Sequence, residues 1–446
     1  MTELTRPKLS RRLALLLPLS SVGCQYLEDS FTDTPKPKLP GIRLNLSDTS
    51  RSLFVDNPRN LKVALPRPSA RDSWPLPGGT ASHEGGHPAV GDTLAEAWHA
   101  DFGTSAGYRD KIPSTPAIAD GRIFAMDPDG LVSAFDVATG KKIWEFDTTP
   151  EDNRSTNIGG GVAVAGEILY VSTGRAELLA LTASTGAVKW RVPLAEPARS
   201  APTVAAGMVY VAMIGNVIAA FASADGKRVW SYTGTEAVTA MLGLPAPAYS
   251  DGILVAGTGS GELIALRAAT GAAVWSDNLA SARGRLAATG LSAIHGMPVI
   301  KNGRVFAVSM GGLMLALDLR SGRRLWEREV ASQDTPWVAG DWLFILSADA
   351  QLAALNIEDG SVVWVAQLQK FEDMAKNRGQ IFWSGPVLAG DRLIVVSGLG
   401  VAQAVSPYTG EIIGEQELPG PASMAPVVAQ GTVFIITDKA KLVAMR

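Results

Sequence analysis

The chain has 446 residues, 46% of them hydrophobic, 46 glycines and a formal net charge of −3. That is enough chain for a large buried core, and the lack of a basic tract in the body argues against nucleic acid as a partner, since such proteins show a basic face. One cysteine cannot form an intramolecular disulfide.

Residues 1–23 read as an export signal. Arg6, Lys8, Arg11 and Arg12 form a basic leader, and Leu13 to Leu19 is a short apolar core. It falls far below the ~20 apolar residues of a membrane span. Ser21-Val22-Gly23-Cys24 then resembles a bacterial lipobox, which makes Cys24 the expected lipidation site. Ser21 stands where such motifs usually carry Leu, and the alternative is a plain secretory signal with a chance cysteine. Gln25, rather than Asp, after the cysteine implies sorting to the outer membrane, with the body in the periplasm.

Residues 24–90 show no periodicity and carry many prolines, together with Gly78-Gly79 and Gly85-Gly86. The expectation is a flexible tether. For Trp74 to Val90 the alternative is packing against the body, because an indole is costly to leave in water. His83 and His87 lie four apart, but the Gly-rich context opposes a helix and no Cys or third His is near, so no metal site is expected.

From residue 91 to 446 one unit repeats. Its clearest copy is Ala134-Phe135-Asp136-Val137-Ala138-Thr139-Gly140-Lys141-Lys142-Ile143-Trp144, a strand, a tight turn and a strand ending in tryptophan. The Ala returns at positions 180, 220, 265, 316, 354, 404 and 444, at intervals of 38 to 51 residues. A period near 40–50 residues is that of a propeller blade, and one blade cannot bury its own faces. Upstream of the motif, Thr115 to Ala119, Asp120-Gly121 and Arg122 to Met126 add two strands and a hairpin turn. The small Ala leaves room for a large ring, and the tryptophan supplies it. Trp144, Trp190, Trp230, Trp275, Trp326 and Trp364 are therefore expected to dock between blades. The seventh copy has Gly414 instead.

The stretch from Pro426 to Arg446 holds only three strands, and the fourth strand with its Trp98 occurs at Ala95-Glu96-Ala97-Trp98. The predicted fold is all-β: an eight-bladed β-propeller of four-stranded antiparallel blades, closed by strands from both ends of the domain. Closure of this kind leaves no free sheet edge at the ring junction.

The motif from Ala134 to Trp144 resembles the tryptophan-docking repeat of quinoprotein-type propellers. Two families share it: the quinoprotein dehydrogenases and BamB, a lipoprotein of the outer-membrane β-barrel assembly machinery. About 355 residues over eight blades leave little room for cofactor-enclosing loops, and the adjacent-cysteine disulfide common in the enzymes is impossible here. The lipobox and runs such as Thr335-Pro336-Trp337-Val338-Ala339-Gly340-Asp341 look like the BamB family. The resemblance implies a non-catalytic scaffold with no cofactor. Its partners would be the periplasmic POTRA domains of BamA and other subunits of the assembly complex, and a lipid would anchor it to the outer membrane. The alternatives are a quinone-dependent dehydrogenase and a periplasmic binding protein.

The family docks BamA through loops of neighbouring central blades, one with a Leu-Arg element and one with two aspartates. Aligned on the repeats, the first loop is Ala237 to Leu244, with Leu242 where the Arg would stand. The second is Leu291 to Pro298, with Ala293 and His295 at the acidic places. Both charged features are absent, so the site is either an apolar patch anchored by Met241, Leu242, Leu244 and Leu291 or has moved elsewhere on the ring. Gly257 to Gly261 and Asp127 to Gly130 fall at hairpin turns and are read as turns, not as phosphate or calcium loops. The connection between Trp364 and Pro386 is long, and its charged part, Lys370 to Arg378, is readable as a helix or a solvated excursion.

Overall fold

Hairpin turns set the spacing of the strands. At Asp120-Gly121 both residues have positive φ, 48° and 72°, the geometry that matches the twist of two antiparallel strands. Asp251-Gly252 and Asn302-Gly303 repeat it. In the computed structural model, which describes residues 53–108, 110–152, 155–237, 243–280 and 292–446, these turns organise eight four-stranded antiparallel sheets. Residues 1–52, and with them the expected signal, Cys24 and the first part of the tether, lie outside the described residues.

Blade 1 is typical: Ala117–Ala119, Arg122–Met126, Leu131–Asp136 and Lys142–Asp147. Its two middle strands are buried along their length, because a neighbouring blade covers each face; they read as apolar runs rather than alternating patterns. The outermost strand alternates. Blades 2 to 7 span residues 160–193, 203–233, 248–278, 299–328, 337–367 and 383–417. Blade 8 takes three strands from 427–445 and its fourth from Glu96–Asp101, with Trp98 opposite Ala444. The expected closure is thus present.

Each docking tryptophan faces the repeat alanine across its own sheet, as Trp144 faces Ala134. Its ring lies on the turn glycine of the next blade. A Cβ on Gly186 would come within 2.8 Å of Trp144, and one on Gly140 within 2.4 Å of Trp98. Six indole N–H groups donate to a main-chain carbonyl of that next blade, as Trp144 Nε1 does to Ala183 at 3.0 Å and Trp230 Nε1 to Ala268 at 2.8 Å. Trp98 is the exception. Its Nε1 has no partner, and the equivalent carbonyl, that of Val137, accepts from the Arg446 guanidinium at 3.3 Å. Gly414 also has a reason. No turn joins the third and fourth strands of blade 8, so there is no turn glycine to receive a ring from blade 7. The segment before Glu96 crosses there instead, held by Arg392, which donates to the carbonyls of Gly91 and Asp92.

The tether expectation changes from Leu53 onward. Leu53 is buried between blades 5 and 6, and Asp56 exchanges hydrogen bonds with Val362 on the outer strand of blade 6. Residues 66–90 then form a strap across the ring. Its main chain bonds the first strands, or the turns just after them, of seven blades: Trp74 with Ile118, Pro75 with Val164, Ala81 with Tyr249, Ser82 with Ile300, Gly86 with Val338, Pro88 with Gly390 and Arg71 with Gln430. The innermost strand of a blade has one unpaired edge facing the ring axis, and the strap supplies partners for it. Trp74 stacks on Trp337 with centroids 5.9 Å apart. His83 and His87 are buried but serve different blades: His83 Nδ1 reaches the Pro298 carbonyl, and the His87 nitrogens lie 2.6 and 2.7 Å from the carbonyls of Pro66 and Gly390.

Candidate partner-docking loops

Antiparallel order sorts the connections into two sets. Loops between blades and turns between second and third strands lie at one end of the strands. Turns between first and second strands lie at the other, and there the strap contacts Gly340, Gly390 and Gln430. Both candidate loops belong to the first end.

The loop after blade 3 is fixed at its base by Asn216. Its Nδ2 donates to the Thr235 carbonyl at 2.6 Å and its Oδ1 accepts from the Gly259 N–H at 2.8 Å. Thr235 N–H also donates to Glu262. The loop returns through Leu244, half-buried, whose N–H donates to the Arg199 carbonyl at 3.1 Å. Met241 and Leu242 lie outside the described residues, as does Leu291 in the second loop.

The second loop is tied to blade 4 by Ile294 N–H, which donates to the Thr258 carbonyl at 3.0 Å, and to blade 6 by Met297 N–H on Thr335 Oγ1. Thr258 belongs to the Gly-rich run, which forms the hairpin turn expected of it. His295 bonds the Gln333 carbonyl through Nδ1 at 3.0 Å. Its Nε2 lies 3.1 Å from where a Cβ on Gly243 would sit, so the two loops touch at Gly243 and His295. Ala293 is corrected: only 3% of it is exposed, because Ile294 and Met310 pin the backbone on either side and turn its methyl into the core. Sequence alignment gave its place but not its direction.

One feature escaped the sequence reading, and one alternative is decided. Asp334, one residue past the carbonyl that holds His295, accepts the Gly385 N–H at 3.0 Å, and burial pushes its carboxyl up to about 7. Its only signal was a lone acid before Thr335-Pro336. Among the described residues, no three His, Cys, Asp or Glu side chains are placed to share a metal ion. The stretch from Lys370 to Arg378, readable as a helix or a solvated excursion, is an exposed hairpin of Phe371–Asp373 and Arg378–Gln380, turned by Asp373 accepting the N–H groups of Ala375 and Lys376. Met374 at its tip is 58% exposed, and Phe382 just after it 61%.

A family model described as outer membrane protein assembly factor BamB matches residues 89–158, 128–366 and 367–446. The chain belongs to the BamB family. BamB of Yersinia pestis is 28% identical over 347 residues, covering 76% of this chain and 86% of the relative. BamB of Escherichia coli K12 is 28% identical over 349 residues, covering 77% and 86%. Among solved structures, BamB from Moraxella catarrhalis superposes with a TM-score of 0.67 at 21% identity, over 79% of this chain and all of that one. A quinohemoprotein alcohol dehydrogenase from Pseudomonas putida HK5 reaches the same TM-score at 15% identity, over 84% and 80%. The ring alone therefore does not separate BamB from a dehydrogenase; the sequence match does. It begins at residue 89, so nearly all of the strap lies outside the matched residues.

Proposed function

We propose that this chain is a non-catalytic scaffold of outer-membrane β-barrel assembly, docking the POTRA domains of BamA through the loops that follow blades 3 and 4. The family match over residues 89–446 carries the reading. The contact of Gly243 with His295 supports it, because it joins the two loops into one surface. With Leu242 and His295 in place of the charged residues, the surface recognises its partner through apolar contact, and such a contact depends weakly on salt. Residues 1–23 act as the signal, Cys24 carries the lipid, and residues 24–52 link the anchor to the ring. The body faces the periplasm at the outer membrane.

Photocrosslinking residues at Met241 and His295 should trap a POTRA-containing protein in cells, and one at exposed Ile143 on the outer strand of blade 1 should not. If neither loop position traps such a partner, the docking reading fails. Cys24→Ala should release the protein from membranes and abolish palmitate labelling.

A further inference from the structure

Three consecutive strap residues hold the two blades whose first strands follow the candidate loops. Ala81 accepts the Tyr249 N–H of blade 4 at 2.6 Å, Ser82 accepts the Ile300 N–H of blade 5 at 2.8 Å, and His83 Nδ1 lies 2.8 Å from the Pro298 carbonyl. Tyr249 is five residues past Leu244, and Pro298 three past His295. We propose that residues 81–83 are a clamp that sets the spacing between the two loops, with His83 as its positioning residue. The proposal rests on the docking reading for its consequence, but not for its mechanics.

A carbonyl only accepts, so His83 Nδ1 carries the proton and donates. The ring is 2% exposed, and burial holds it down to about 4, so it stays neutral in this role. Its backbone has a φ of 60°, unusual for a residue with a side chain, and its Cβ packs where Gly78 has none. The strap thus accepts local strain to aim one donor at Pro298. Both loops then enter blades whose inner strands are fixed to one short segment. A shift of either blade would open the Gly243–His295 contact.

The test is made on the full chain. His83→Phe keeps a ring and removes the donor. His83→Asn keeps a donor at similar reach, and Asn adopts positive φ readily. His87→Phe disturbs the strap at Pro66 and blade 7, away from blades 4 and 5. Hydrogen–deuterium exchange should show several-fold faster uptake in peptides covering 243–249 and 292–300 for His83→Phe, wild-type uptake for His83→Asn, and no change there for His87→Phe. Binding to purified POTRA domains of BamA should weaken about three- to tenfold in His83→Phe, the loss of one buried hydrogen bond, and recover in His83→Asn. Unchanged uptake in His83→Phe, an equal effect of His87→Phe, or no recovery with Asn would overturn the clamp. If wild type itself does not bind the POTRA domains, the docking reading falls while the exchange experiment still decides the clamp.

Discussion

At the scale of single residues, tryptophan and glycine hold the blades together. A Trp230→Ala change removes a buried ring and a bonded N–H, and should lower stability by about 3–5 kcal/mol in urea denaturation. Gly271→Ala should also be harmful. Its φ is 73°, and a Cβ would stand 2.7 Å from the Trp230 ring. The two indoles Trp98 and Trp230 make a sharper comparison. Replacing each with Phe should cost Trp230 about 1 kcal/mol more, because only its N–H is bonded. Asp334 predicts a pH effect. Its folded pKa, about 7, lies above the unfolded value, so the native state holds the proton more tightly. This contribution favours folding below the unfolded pKa near 4 and is lost as pH rises through 7. Asp334→Asn should flatten stability between pH 4 and 7 in thermal melts, and a wild-type curve equally flat would refute the assignment.

At the scale of elements, the strap differs most from its sequence reading. The prolines and glycines that suggest a tether also suit an irregular chain that bonds outward rather than to itself. Trp74 was the legible sign, since a ring that large needs cover; it finds it on Trp337. The contacts from Arg71 to Pro88 reach partners up to more than 350 residues away, and no local pattern can announce them. Trp74→Ala should lower the melting temperature by several degrees and expose the inner strand edges to dye or protease. The hairpin at 371–380 was hidden for a different reason. Charged residues around Met374 and Ala375 fit a helix as well as a turn, and Asp373 decides by bonding two backbone N–H groups ahead of it.

At the scale of the whole molecule, the ring is closed by strands from opposite ends of the domain. Deleting residues 96–101 would leave blade 8 with three strands and the edge of Lys441–Met445 unpaired. Size-exclusion chromatography of that variant should show oligomers, because an exposed edge pairs with other chains. The sequence by itself determined the eight blades, their closure and the docking tryptophans. Those rest on short-range features, a turn glycine, a small Ala and a ring four residues past the turn, repeated complete in blades 1 to 6. Only the tertiary structure decided that residues 53–90 are built into the ring, that Ala293 faces inward while His295 meets Gly243, and that Gly414 stands where no turn exists to receive a ring. Each depends on groups brought together by closure of the ring, and their separation along the chain left no local pattern to read.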